Sequence, residues 1–127
     1  MIQIFYELKI KSGKADELRQ IAFDMVSFNR EGEPKTLAYN VYISEDQSLF
    51  TYLEIFSDID AVIFHGDRFV NGIYVSKVLE RTEGGRLVIY GEISERLKGW
   101  AVENNLEMEF AEPIDGFFRK IEKLKSN

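Results

Sequence analysis

The stretch from Glu33 to His65 constrains the fold more tightly than any other part of the chain. Thr36 to Ser44 and Leu49 to Phe56 are two strand-like runs, the first carrying Leu37, Tyr39 and Tyr42 and the second ending Glu54-Ile55-Phe56. Only Glu45-Asp46-Gln47-Ser48 joins them, and so short a polar link suits an antiparallel hairpin. Ser57-Asp58-Ile59-Asp60 follows directly, a Ser-x-x-Asp signature of a helix N-terminus. Ile59, Val62 and Ile63 then share a helical face, continued by Phe69 or Val70 and Ile73. A strand pair and a helix start therefore come in fixed order.

The flanking segments extend this plan. Ile2, Ile4, Tyr6, Leu8 and Ile10 alternate with mostly polar neighbours, the pattern of a half-buried strand. After Ser12-Gly13, Leu18, Ile21, Ala22 and Met25 recur at helical spacing, predicting a helix from about Lys14 to Asn29. Asp16 and Glu17 favour its N-terminal end, and Pro34 stops its continuation. Gly66 and Gly72 lower helix propensity, so the second helix is expected to break near one of them and resume to about Arg81. Glu83-Gly84-Gly85 reads as a turn into a strand from Arg86 to Ile93. Ser94 reads as the cap of a short helix burying Leu97, Trp100 and Ala101, and Leu106, Met108 and Phe110 as a last strand. Phe117-Phe118 is expected to fold back onto the core.

The order β-α-β-β-α-β gives a ferredoxin-like α+β fold, an antiparallel sheet with helices on one face. The final α-β piece is a C-terminal extension. At 127 residues a single domain (1–127) is expected. The uncovered face would carry aromatic and aliphatic side chains in either parity: Tyr39, Val41 and Ile43 or Ala38 and Tyr42 on one strand, Phe50 and Tyr52 or Leu49 and Leu53 on the next. A buried homodimer interface explains such a surface better than water does.

Composition narrows the chemistry by exclusion. With no cysteine there is no disulfide, thiolate nucleophile or Cys-ligated metal, which fits a cytoplasmic location. The alternating N-terminus reads as a strand, not a signal peptide, and no apolar run is long enough for a membrane span. The net charge is −6, and only Arg119, Lys120, Lys123 and Lys125 form a basic cluster, so nucleic acid is not an expected partner. Gly-x-Gly-x-x-Gly, phosphate-loop and Gly-x-Ser-x-Gly patterns are absent, leaving nucleotide cofactors without support.

His65 is the only histidine and so the only side chain with an ordinary pKa near neutrality. It reads either as an acid–base group facing a cavity between the second helix and the sheet or as a packing residue. With no second histidine, and with nearby Asp58 and Asp67 at no ligand-set spacing, it does not read as a metal site. Glu54 reads better as a structural hydrogen-bond or ion-pair partner than as a catalyst, with Arg68 or Arg81 as candidate partners. Strand tyrosines are ordinary sheet formers, and at least half of them fill space.

Lys11-Ser12-Gly13-Lys14, Glu33-Pro34 with Leu37, Tyr39 and Tyr42, Glu54-Ile55-Phe56, and Asp58…Ala61…His65 together resemble the antibiotic biosynthesis monooxygenase family. The resemblance covers about residues 2–93, with 94–127 as an extension. It implies a dimeric α+β barrel and a cofactor-independent monooxygenase acting on a small aromatic or polyketide-like molecule. It further implies catalytic roles for His65, Tyr6 and Tyr52, and substrate contacts from Tyr39, Phe69 and Trp100. A non-catalytic dimeric protein binding a small hydrophobic molecule is the alternative, and an isomerase or cyclase a third. Lys35 stands where the family often has Gly, and Phe56 where it commonly has Trp. The positions of the haem-degrading branch fall on Tyr6, His65 and Val75, so haem is not implied, and no cofactor or metal is expected.

Overall fold

A computed structural model describes residues 1–119. Its elements run β1 (Ile2–Ile10), α1 (Ala15–Gly32), β2 (Thr36–Ile43), β3 (Leu49–Phe56), α2 (Ile59–Val70), α3 (Tyr74–Leu79), β4 (Thr82–Tyr90), α4 (Glu95–Glu103) and β5 (Glu109–Ala111). The sheet order is β2-β3-β1-β4-β5. The first four strands pair antiparallel, as the ferredoxin-like plan requires, and β5 adds parallel to β4.

Local chemistry explains the joints. In the β2–β3 link, Asp46 Oδ1 accepts from the Ser48 amide at 3.0 Å and from the Ser44 hydroxyl at 2.8 Å. The α2 cap is Asp58, not Ser57 as the capping signature suggested. Its Oδ1 accepts from the Ala61 amide at 2.8 Å, because Asp58 and not Ser57 holds the extended conformation just before the helix. Ser94 caps α4 as expected, accepting from the Leu97 amide at 3.1 Å. The break in the second helical region falls at Asn71-Gly72-Ile73, between α2 and α3.

Three other expectations are corrected. The first helix runs on to Gly32, three residues past Asn29. Glu83-Gly84-Gly85 lies inside β4: Leu8 pairs with Gly85 and Lys9 with Glu83, so Gly84 is the extra residue of a bulge. Its φ of +59° is the left-handed conformation that glycine adopts without penalty. Phe117 and Phe118 are 79% and 57% exposed and do not fold back onto the core. Lys120, Lys123 and Lys125 lie outside the described residues.

The helices cover the face that bears Ile2, Ile4, Leu8, Phe50, Tyr52 and Phe56. One cluster joins Leu8, Phe50 and Tyr52 to Leu18, Ile21 and Met25 of α1 and Val78 of α3, with Tyr39, Val41 and Ile43 packed against it. A second joins Ile2, Ile4 and Phe56 to Ala61 and Val62 of α2 and Leu97 of α4. The other face has no helix and leaves Tyr42, Leu53 and Tyr90 exposed. Among the described residues no helix is long and apolar enough to cross a membrane.

Candidate functional site: an imidazole between two buried carboxylates

Glu54 takes the third inward position of β3, after Phe50 and Tyr52 and before Phe56, so strand alternation drives a carboxylate into the core. Glu33 is placed by the end of α1, where its amide donates to the Asn29 carbonyl at 2.9 Å. His65, in the second turn of α2, reaches both. Its Nδ1 lies 2.8 Å from Glu33 Oε1, and its Nε2 lies 3.0 Å from Glu54 Oε1. Arg68, one helical turn on, donates through Nε to Glu33 Oε2 at 3.0 Å and through Nη2 to the Phe28 carbonyl at 3.1 Å. The Thr36 hydroxyl also donates to Glu33 Oε1, at 2.8 Å.

The cluster is buried and charge-balanced. The Glu33 and Glu54 side chains are 1% and 5% exposed and that of His65 15%, and two carboxylates face one imidazolium and one guanidinium. Burial by itself lowers the His65 pKa. The Glu54 charge and the hydrogen bond to Glu33 outweigh that and push it up to about 10. Burial raises the Glu33 carboxyl, but its bonds to His65, Thr36 and Arg68 hold it below the usual range. At neutral pH His65 is a cation.

The two carboxylates are not equivalent. Glu33 accepts from three side chains, whereas Glu54 Oε1 is buried with no hydrogen-bond donor aimed at it. Its contact with His65 is close enough for an ion pair but off the N–H direction. A buried acceptor left in that state favours any ligand that brings a donor.

Glu54 and His65 border a half-open, mostly apolar cavity of about 60 Å³ between the sheet, α2 and α4, with Tyr6, Phe69, Leu87 and Trp100 among its walls. The six-membered ring of the Trp100 indole rests against Gly66, where a Cβ would collide with it, and its Nε1 donates to Asp67 Oδ1 at 2.7 Å. The C-terminal extension thus supplies one wall. Gly66→Ala is expected to lift the indole off α2 and wet it. As Trp100 is the only tryptophan, a red-shifted emission maximum reports this directly, and an unshifted spectrum contradicts the packing.

The expected site residues divide. His65, Tyr6, Phe69 and Trp100 come together at the cavity. Tyr52 does not: it is 2% exposed, its hydroxyl donates to Met25 Sδ at 3.5 Å, and its ring stacks on Tyr6 at 5.9 Å. Tyr39 packs its ring 5.5 Å from the His65 ring but faces a different groove, beside α1. Burial, then the Glu54 charge, raises the pKa of all three phenols, so each stays a neutral hydroxyl. The carboxylates beside His65 are Glu33 and Glu54, not Asp58 and Asp67. Arg68 pairs with Glu33, and Arg81 pairs with Glu17, so neither arginine meets Glu54. Among the described residues no three His, Asp or Glu side chains form a metal-holding group.

Glu54 left a signal in the sequence, since an acid at an inward strand position demands a cationic partner and His65 is the only histidine. Glu33 left none, because a loop carboxylate has no periodicity to betray its burial.

Fold and site together define an α+β protein with a ferredoxin-like sheet, an added edge strand and a buried ion cluster beneath an apolar cavity. Solved structures share the fold. MupZ from Pseudomonas fluorescens superposes with a TM-score of 0.79 over 93% of both chains, at 16% identity. An antibiotic biosynthesis monooxygenase matches with a TM-score of 0.63 over 74% of this chain and 100% of its own, at 20% identity. Rv0793 from Mycobacterium tuberculosis matches with a TM-score of 0.62 over 74% and 96%, at 18% identity. The chain therefore has the antibiotic biosynthesis monooxygenase fold, in agreement with the resemblance carried by its motifs. No protein-family model matches the sequence, and no curated protein matches it.

Proposed function

We propose that the chain is a homodimeric, cofactor-independent monooxygenase-like enzyme acting on a small aromatic or polyketide-like molecule, with Glu54 and His65 managing the substrate's proton. The observation that carries this reading is the unsatisfied Glu54 oxygen, buried at the wall of an apolar cavity and held beside an imidazolium. A phenol or enol hydroxyl entering the cavity supplies the donor that oxygen lacks. Transfer of its proton to Glu54 leaves an oxyanion, which the neighbouring imidazolium stabilises electrostatically. An electron-rich anion of this kind reacts with O₂ itself, so the protein contributes deprotonation, orientation and a dry site. With its pKa near 10, His65 is a donor at neutral pH, and the base is Glu54.

The cavity has room for about two waters, whereas sites for drug-sized ligands measure about 300–1,000 Å³. Binding therefore requires a wall to move. Trp100, held on Gly66 by contact and one hydrogen bond, is the side chain placed to do so. That small volume favours the second reading, a non-catalytic dimeric protein that takes up a small hydrophobic molecule when the indole swings away.

Aerobic turnover of an anthrone-like phenol separates the two. Glu54→Gln is expected to lower turnover by about 100-fold or more while ligand binding persists, and His65→Ala to lower it as well. Wild-type protein that binds the phenol and never oxidises it selects the binder. Dimerisation is read from sedimentation, with a species of twice 14.8 kDa expected. The open sheet face, with Tyr42, Leu53 and Tyr90 exposed, is the surface assigned to it.

A further inference from the structure

We propose that the groove between α1 and β2 receives the C-terminal tail, residues 112–119, of a second copy of the chain. The proposal rests on the homodimer reading above and specifies a contact which that reading does not require.

The groove measures about 530 Å³, ligand-sized where the His65 cavity is not. One wall is a single stripe of α1, Arg19, Ala22, Phe23, Val26, Ser27 and Arg30, at helical spacing. The other wall is β2 from Tyr39 to Ile43, with consecutive residues of both parities, so the groove runs along the strand's edge. β2 ends the sheet, and its outward amides and carbonyls have no strand beside them. An edge of that kind pairs readily with an added extended segment.

Charge selects the segment. Although the chain is acidic overall, no Asp or Glu lines the groove, and an arginine stands at each end of its helical wall. The two are about 16 Å apart along the axis at the helical rise per residue. Arg19 meets only Asp16, at 3.8 Å and on the surface, and among the described residues Arg30 makes no ion pair.

The tail has the complementary features. After β5 the chain reads Glu112-Pro113-Ile114-Asp115-Gly116-Phe117-Phe118-Arg119, with Ile114 fully exposed and Phe117 and Phe118 largely so. Two carboxylates and three large apolar side chains thus stand largely in water within eight residues, with one cation, Arg119, at the far end over the Phe117 ring. Extended, such a segment reaches about 26 Å, enough to lie along the groove. It leaves from β5, the edge opposite β2, about 19 Å away across four strand spacings. In a dimer built through the open faces, the edges of one sheet come beside those of its partner, so the exchange between copies is the direct route.

The test is a charge swap in the full-length chain, read as the dimer dissociation constant by sedimentation. One variant carries Arg19→Glu and Arg30→Glu, the other Glu112→Lys and Asp115→Lys. All four side chains are exposed, and far-UV circular dichroism verifies folding. Each variant alone is expected to dimerise at least about tenfold more weakly than wild type. An equimolar mixture should restore wild-type affinity, because both grooves then meet tails of opposite charge. A wild-type dimer whose variants show no rescue on mixing overturns the tail contact, whether the tail binds its own groove or none, and leaves the dimer reading standing. Weakening by the arginine pair alone means that a different anionic partner uses the groove, and also overturns it. A wild-type chain that stays monomeric removes the dimer reading and the tail contact with it.

Discussion

Glu33→Ala is expected to cost about 3–5 kcal/mol of folding stability, read as the shift in a urea or thermal unfolding curve. Glu33 holds one ion cluster together: it accepts from His65, Arg68 and Thr36, and its side chain is 1% exposed. Removing it leaves the half-buried Arg68 guanidinium without its carboxylate and deprives His65 of one of its two counter-charges. The cost comes from uncompensated buried charge, not from the hydrogen bonds alone. Glu33→Gln keeps an acceptor and the packing volume and should lose less. Glu31→Ala, at an exposed position two residues earlier, should lie within the small range of surface changes. A Glu33→Ala protein that unfolds like wild type would show that the cluster is not held as described.

Stability should fall steeply on the alkaline side. The folded His65 has its pKa at about 10, against 6.5 for an unperturbed imidazole. Folding therefore takes up a proton between those values, and the unfolded state binds fewer protons there than the native one. The contribution of His65 is full below about pH 6.5 and is lost as pH rises through 10. Glu33 acts in the opposite direction. Its folded pKa is depressed, so its contribution is present above the unfolded value and is lost as pH falls through the folded one. Unfolding curves from pH 4 to 10.5 should thus show a maximum near mildly acidic pH, and His65→Gln should remove most of the alkaline limb. Because the chain has one histidine, its ring resonances titrate without overlap. A midpoint near 6.5 in the folded protein would rule out the clamped imidazolium.

The site is partly legible in the sequence. His65 stands out in the sequence as the lone histidine, and Phe69 and Trp100 fall on the inward faces of their helices. The family resemblance implies a catalytic role for Tyr52, which lies on the same sheet face as Tyr6. That face is deep, however, and packing against Met25 turns its hydroxyl away from the cavity. The Gly84-Gly85 pair read as a turn because glycine's left-handed freedom serves turns and bulges alike. Only the pairing of Leu8 and Lys9 across the sheet shows which of the two it makes.

The sequence by itself determined the order of elements, the inward face of β1 and the lack of cysteine chemistry. These follow from local periodicity and composition, which act over a few residues and leave a mark in each segment. Tertiary structure alone decided that Glu33, Glu54 and His65, drawn from a loop, a strand and a helix, share one buried charge cluster. Such a meeting depends on how α1 and α2 pack across the sheet, and Coulomb attraction in a dry interior acts between side chains regardless of their separation along the chain.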